Sequence, residues 1–80
     1  MSKYTKYNAV VGVVLRGYRG DLNITQEALA RGVKLSQSTV ARMERGEIAI
    51  TVGQLHRFAH ILDTLPGTIL TQADELWRVG

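Results

Sequence analysis

The chain has 80 residues, 45% of them hydrophobic and 21% charged, a balance that excludes an intrinsically disordered segment. The absence of cysteine excludes disulfide bonds and thiolate metal sites, and no apolar run is long enough to cross a bilayer. A chain of this length builds one core and little else, so we expect a single domain over residues 1–80 that is not an enzyme. We also expect a cytoplasmic protein, because the first residues do not have the layout of a signal peptide.

Basic residues are concentrated in the first half of the chain. Residues 1–45 contain eight lysines and arginines against three acidic residues, a net charge of +5, whereas residues 46–80 have a net charge of −2. A basic half suggests a surface for a polyanion, and an acidic half suggests a surface for another partner. Charge alone is equally consistent with an ordinary solvated surface.

The first predicted element covers residues 8–18, which are rich in valine and by composition could form a strand. Helical spacing is followed by the apolar residues Val10, Val11, Val14, Leu15 and Tyr18. We favour a helix that has Asn8 as a possible N-cap and ends near Arg19 or Gly20, because every later segment is helical. Asn23 follows where the chain must reverse, and asparagine tolerates the left-handed conformation.

Two short helices are predicted next. Thr25 is the N-cap of the second helix, and Ser36 is the N-cap of a third. The third helix runs from Gln37 to Arg45 and stops at Gly46. Two helices joined by so tight a turn form a helix-turn-helix unit. The positions that must face inward in such a unit are all apolar: Leu29, Ala30, Val33, Leu35, Val40 and Met43.

A fourth helix is predicted over residues 52–62, with Thr51 as its N-cap. A fifth begins near Pro66, because proline fits the first turn of a helix. The end of this helix can be predicted in two ways, since Thr71 and Asp74 are spaced to cap a separate last turn. The chain is therefore predicted to be all-α, a compact bundle of five helices.

The residues around the helix-turn-helix resemble a known family. Thr25–Ala30 and Leu35–Gly46 are similar to the helix-turn-helix of the phage repressor/Cro (Xre-like) transcriptional regulators. The resemblance covers roughly residues 10–70, with a helix-turn-helix core at residues 25–46. It implies a lambda repressor-like DNA-binding domain, encoded by a phage or a bacterium, whose third helix enters the major groove.

The sequence departs from the family pattern in two places. Lys34 lies in the turn, where the family usually has glycine, so the resemblance implies a strained positive φ at Lys34 or a slightly different turn. Gly32 lies two residues earlier, but using it would break the eleven-residue spacing between Gln26 and Gln37 that matches the family. The loop before the fourth helix also lacks a proline that is common in the family.

The third helix carries the residues expected to read DNA. Its outer face includes Gln37, Ser38 and Arg42. Glutamine can bond adenine and arginine can bond guanine in bidentate fashion, and serine can bond either base. The resemblance implies that these three residues contact bases, and the alternative is an ordinary polar surface.

Phosphate contacts are expected from residues around the same helix. Gln26 begins the second helix, and helix N-termini favour anions. The other expected phosphate contacts lie in or beside the third helix: Lys34, Thr39 and Arg45. Arg16 and Arg31 are weaker candidates. The resemblance also implies a structural salt bridge between Arg19 and Glu44.

The fifth helix has more apolar residues than a short terminal helix needs. We expect residues 66–80 to include a homodimer interface, although packing within one core is the alternative. The expected interface residues are Ile69, Leu70, Ala73, Leu76 and Trp77. His56 and His60 are spaced to share a metal ion, but no third ligand is evident, so we expect no metal and no cofactor.

Together these features predict a sequence-specific regulator that binds double-stranded DNA as a dimeric repressor at a palindromic operator, associated with the nucleoid. Two alternatives stay open. One is an antitoxin that binds a toxin through its acidic half and represses its own promoter. The other is a protein-interaction adaptor that does not bind DNA. A toxin or another regulator is the protein partner to look for, and no membrane contact is expected.

Overall fold

The computed structural model describes residues 6–79, which form five α-helices and no strand. The helices are α1 (Tyr7–Asp21), α2 (Gln26–Val33), α3 (Gln37–Glu44), α4 (Val52–Ile61) and α5 (Pro66–Val79). The predicted all-α class with five helices is confirmed. Within the described range, every helix is too short or too polar to traverse a lipid bilayer.

α1 packs against both α5 and α3. α2 packs on α3 and α4, and α4 also contacts α5. The buried apolar core comprises Val10, Val11, Val14, Leu15, Leu29, Ala30, Val33, Val40, Met43, Leu55, Phe58, Ala59, Leu62, Ile69 and Ala73. Of the positions predicted to face inward in the helix-turn-helix, all are buried except Leu35, which is half-buried at the edge of the core. This core holds α3 with one side inward and the other side toward solvent.

The valine-rich first segment is a helix, as favoured, and the strand alternative is excluded. Val14 and Leu15 are both buried against other helices, whereas adjacent residues of a strand would point to opposite faces. The helix begins at Tyr7, and Lys6 in the N-cap position makes no side-chain cap bond. Asn8 therefore lies inside the first turn, and its expected role as N-cap is wrong.

The predicted N-caps of α2, α3 and α4 are confirmed. The side-chain oxygens of Thr25, Ser36 and Thr51 each accept a backbone N–H from the third residue along, at 3.1 Å. At α4 the side chain of Gln54 also accepts the N–H of Thr51 at 2.9 Å, which completes a capping box. α5 begins at Pro66 as expected and runs without a break, so the separate last turn does not form.

Helices α1 to α4 all end in the same way. A residue just beyond each helix has a left-handed backbone: Asn23, Lys34, Gly46 and Asp63, with φ of 57°, 60°, 74° and 54°. The N–H of the next residue then donates to the carbonyl five residues before it, at 2.9 or 3.0 Å, which is a Schellman motif. Lys34 thus takes the positive φ at the turn position where the family usually has glycine, at a cost of about 1–2 kcal/mol.

Gly12 determines how closely α1 approaches α3. A Cβ atom at this position would lie 2.6 Å from the carbonyl oxygen of Met43 and closer still to that of Glu44, so only glycine fits. Beyond α3, a Cβ atom on Gly46 would lie 2.5 Å from Cα of Ala9. The two glycines therefore let the first half of α1 pack directly on the end of α3.

Candidate nucleic-acid interface

α3 presents a polar face to solvent and an apolar face to the core. Gln37, Ser38 and Arg42 are exposed, whereas Val40 and Met43 are buried. Because the buried side is packed against other helices, the exposed side keeps one orientation. The three residues predicted to read bases therefore lie on one accessible arc of a firmly held helix.

Thr39 and Lys34, both predicted to contact phosphates, lie in different surroundings. Thr39 is half-buried, and its hydroxyl shares a hydrogen bond of 2.8 Å with the hydroxyl of Ser36 at the N-cap of α3. Lys34 is exposed in the turn between α2 and α3. A phosphate would therefore meet the Lys34 ammonium with less reorganisation than the Thr39 hydroxyl.

A largely buried ion pair lies beneath the helix-turn-helix. Arg19 donates from Nε to Oε2 of Glu44 at 2.7 Å and from Nη2 to Oε1 at 3.1 Å, and the Glu44 side chain is only 4% exposed. Arg19 Nη1 also donates to the carbonyl of Ile24 at 3.0 Å. The hydrogen bond to Glu44 raises the pKa of Arg19, against the opposing effect of burial. These bonds connect α1 to α3 and to the turn before α2.

Gln26 is attached to this ion pair. Its Nε2 donates to Oε1 of Glu44 at 2.9 Å, and the residue is half-buried. An amide nitrogen carries two N–H groups, so one remains for a phosphate oxygen. Sequence reasoning missed the bond to Glu44, because it is a tertiary contact between two helices and no local pattern indicates it.

A polar cleft opens beside Gln26 at the junction of α1, α2 and α3. Its volume is about 230 Å³, and its lining residues are Arg16, Arg19, Gln26, Ala41, Glu44 and Arg45. The N-terminus of α2, which carries a partial positive charge, begins at Gln26. Arginines and a helix N-terminus at one cleft suit an anionic group such as a DNA phosphate.

Arg42 and Arg45 share an acidic neighbour that the sequence did not single out. The carboxylate of Glu47 accepts a hydrogen bond from Nε of Arg45 and lies 3.7 Å from Nε of Arg42. The hydrogen bond between Arg45 and Glu47 lowers the pKa of the acid and raises that of the arginine. The sequence feature that could have predicted these contacts is Gly46, which ends α3. The residue after such a glycine folds back on the last turn of the helix.

α5 does not present its five predicted interface residues on one surface. Ile69 and Ala73 have no exposed surface, because they lie in the core, so they cannot contact a second molecule and their assignment is wrong. Trp77 is half-buried and packs edge-on against Tyr7, with ring centroids 5.5 Å apart. Leu76 is also half-buried, and Leu70 is 39% exposed. Packing within one core thus accounts for most of the apolar residues of this helix.

His56 and His60 are exposed on α4. Within residues 6–79, no three histidine, aspartate or glutamate side chains are grouped closely enough to hold a metal ion. The two histidines lie on the solvent-facing side of α4, outside the cleft and outside the exposed face of α3.

Comparison with known proteins identifies the family. Residues 10–70 match a family described as a helix-turn-helix domain. The matched segment begins in α1 and ends in α5, so it includes the helices that hold α3 in place. Comparison with curated protein sequences gives no significant match.

Several solved structures share the fold. The clp gene regulator ClgR from Corynebacterium glutamicum is 23% identical, with a TM-score of 0.90 over 92% of this chain and 79% of its own. The restriction-modification controller protein C.AhdI from Aeromonas hydrophila is 29% identical, with a TM-score of 0.75 over 78% of this chain and 94% of its own. Hydroxypropylphosphonic acid epoxidase from S. wedmorenis is 32% identical, with a TM-score of 0.72 over 78% of this chain but only 33% of the enzyme. The similarity to the epoxidase is thus confined to a third of that protein.

The family match and the geometry of the site both indicate a DNA-binding helix-turn-helix. The matched segment contains the exposed polar face of α3, the buried pair of Arg19 and Glu44, and the cleft at the N-terminus of α2. The chain belongs to the helix-turn-helix family of DNA-binding transcriptional regulators, of the phage repressor/Cro (Xre-like) type.

Proposed function

We propose that this protein recognises a specific sequence of double-stranded DNA through α3 and acts as a dimeric repressor at a palindromic operator. The observation that carries the proposal is the exposed arc of Gln37, Ser38 and Arg42 on a helix whose other side is buried. An α-helix fits the major groove, where each base pair presents a distinct pattern of donors and acceptors. Each bidentate contact from glutamine or arginine would contribute about 1–3 kcal/mol of discrimination between bases.

The cleft beside α2 supplies the contacts that would position α3 on the duplex. A phosphate there would receive the second N–H of Gln26 and the positive charge of Arg16 and Arg45, which line the same cleft. Contacts of this kind set the register of the protein on DNA and carry no sequence information themselves. Gln26 would bind with little loss of side-chain freedom, because its bond to Glu44 already restrains it.

A dimer is proposed because one reading helix contacts few base pairs. Two subunits related by a two-fold axis read two half-sites about 34–36 Å apart, which multiplies the specificity of one. The surface that we propose for the dimer lies around Leu70, next to Val52, which is 75% exposed. Both line a mainly apolar groove of about 220 Å³ together with Val11, Ile50 and Leu55. Exposed apolar side chains at a groove favour association.

Repression is proposed because it requires only occupancy of a promoter. Within residues 6–79 the helices form a single unit built around the helix-turn-helix, and occupancy of DNA requires no more than this unit. A bound dimer covering a promoter would suffice to block transcription.

The experiment that tests this function is selection of bound duplexes from a pool of random DNA, followed by binding measurements at several salt concentrations. We expect a consensus with two-fold symmetry and an affinity that falls steeply with salt, because arginine and lysine contacts displace condensed counterions. Failure to enrich any sequence would contradict sequence-specific recognition, and an asymmetric consensus would contradict the symmetric dimer.

The dimer surface has its own test. Leu70→Asp places a charge in the proposed interface, and Thr68→Asp places the same charge on another exposed residue of α5. Sedimentation equilibrium should show weaker association for Leu70→Asp and unchanged association for Thr68→Asp. Equal effects of the two substitutions would remove Leu70 from the interface.

A further inference from the structure

The end of α3 places an acidic residue between the two arginines that the proposed function directs toward DNA. Gly46 has a φ of 74°, and the N–H of Glu47 donates to the carbonyl of Arg42 at 2.9 Å. This Schellman motif returns residue 47 to the side of residue 42, five residues or about 1.4 helical turns back along the chain. The two positions usually make an apolar contact in such motifs. Here they are a glutamate and an arginine.

The glutamate contacts both arginines at once. Nε of Arg45 donates to one carboxylate oxygen of Glu47, and Nη2 of Arg45 lies 3.5 Å from the other. Nε of Arg42 lies 3.7 Å from the same carboxylate. The three side chains are each about half exposed, so DNA could reach all of them without any rearrangement of the core.

A carboxylate and a phosphate diester compete for the same guanidinium donors. While Glu47 is bound, its single negative charge offsets one of the two positive charges that Arg42 and Arg45 bring to the proposed DNA-binding surface. Every cation withheld from phosphates lowers the affinity for DNA of any sequence, since backbone attraction supplies nearly all non-specific binding. An exposed ion pair is weak enough for a well-matched ligand to displace it.

We propose that Glu47 is an internal counterion that competes with DNA for Arg42 and Arg45 and thereby lowers the affinity of the protein for DNA. The inference rests on the proposed function, because it assigns Arg42 to bases and Arg45 to phosphates. At the matching site a base partner for Arg42 replaces the carboxylate, so binding there breaks the pair, whereas on other DNA the pair can stay intact. Glu47 therefore weakens binding to the matching site at least as much as binding to unrelated DNA.

The test compares two neutralising substitutions, Glu47→Gln and Glu75→Gln. Both change the net charge by the same amount, and Glu75 is exposed on α5. Each variant is titrated with the selected duplex and with a duplex of scrambled sequence, over a range of salt concentrations. We expect Glu47→Gln to tighten binding of the selected duplex roughly two- to fivefold, the range for an exposed ion pair, and binding of the scrambled duplex by no more than that. Its salt dependence should steepen by about one counterion.

The expected signature is tighter binding of the selected duplex by Glu47→Gln, with a ratio of selected to scrambled affinity that does not fall, and unchanged affinities for Glu75→Gln. Equal behaviour of the two variants would overturn the inference. A second comparison repeats Glu47→Gln in a chain with Arg42→Ala and Arg45→Ala. There the effect should vanish, and persistence of the full effect would show a diffuse field of charge instead of an ion pair.

The failure of this inference differs from the failure of the proposed function. If the unsubstituted protein binds the selected duplex no better than the scrambled one, the proposed function is wrong and the inference is wrong with it. If the unsubstituted protein discriminates and Glu47→Gln binds the selected duplex no more tightly than Glu75→Gln does, only the role of Glu47 is lost.

Discussion

Gln26 donates a hydrogen bond of 2.9 Å to the carboxylate of Glu44, although the two residues lie on different helices. The same carboxylate accepts two bonds from Arg19. The residue proposed to hold a DNA phosphate is therefore attached to the ion pair that joins α1 to α3. One buried acid thus connects the stability of the fold with the position of the binding surface.

The first prediction concerns that acid. Glu44→Gln should lower the free energy of unfolding by about 3 kcal/mol, because it leaves the Arg19 guanidinium largely buried without a counter-charge. Urea denaturation followed by circular dichroism measures the change. Glu27→Gln is the matched control, since Glu27 is exposed on α2 and its loss should cost less than about 0.5 kcal/mol. Similar costs for both variants would contradict the role of the pair.

The second prediction distinguishes the role of Arg42, which lies in α3, from that of Arg45, which follows the helix. Arg42→Ala should reduce discrimination at one base position by about 1–3 kcal/mol, because it would remove the proposed bidentate base contact. Arg45→Ala should weaken binding to the selected duplex and to each of its single-substitution variants by the same factor, and lower the salt dependence by about one counterion. Binding to single-substitution series of the selected duplex measures both effects. Uniform weakening by Arg42→Ala would remove that residue from base recognition.

The third prediction concerns two glycines of one helix. Gly12→Ala should destabilise the protein by about 2–3 kcal/mol, because the new methyl group would overlap backbone carbonyls of α3. Gly17→Ala should stabilise it by up to about 1 kcal/mol, because a Cβ atom there meets open space and alanine favours the helix. Thermal unfolding of both variants provides the comparison. A neutral Gly12→Ala would mean that α1 and α3 separate at little cost.

The fourth prediction is that one substitution at Lys34 has opposite effects on the stability of the fold and on DNA binding. Lys34→Gly should stabilise the fold by up to about 1 kcal/mol, because the relief of left-handed strain exceeds the extra conformational freedom that glycine has in the unfolded chain. The same substitution should weaken DNA binding and flatten its salt dependence, since the exposed ammonium is lost. Urea denaturation and duplex titration on one preparation test both parts. A change in stability with no change in binding would remove Lys34 from the phosphate contacts.

The fifth prediction is a loss of stability at alkaline pH. Burial, together with the hydrogen bond to Asp74, raises the pKa of Tyr7 to about 12 in the folded protein. The neutral phenol is thus favoured by folding, and its contribution is complete below the ordinary tyrosine pKa of about 10 and disappears as the pH rises through 12. Urea denaturation between these limits should show a steeper fall for the unsubstituted protein than for Tyr7→Phe. Parallel curves would show that the tyrosine does not contribute.

Short-range sequence patterns predicted the helices because the interactions that begin a helix join residues close together in the chain. Thr25, Ser36 and Thr51 begin helices through bonds to the third residue along, and such bonds are visible as local spacing. The start of α1 was misplaced at Asn8, since the apolar packing of the helix decides its extent without help from a cap. The same local logic placed Gln37, Ser38 and Arg42 on one outer face before any tertiary contact was known.

Tertiary packing decided the burial and the charge pairing that local patterns did not predict. Amphipathic spacing showed which side of α5 is apolar, but only the approach of α1 determined that Ile69 and Ala73 lie inside one subunit and are absent from any surface. Likewise, the bond from Gln26 to Glu44 and the pairing of Glu47 with two arginines depend on distances between elements that are separate along the chain. Periodicity and capping are properties of neighbouring residues and can be inferred from their order. Burial and charge pairing depend on how helices meet in space, and only the folded core establishes that.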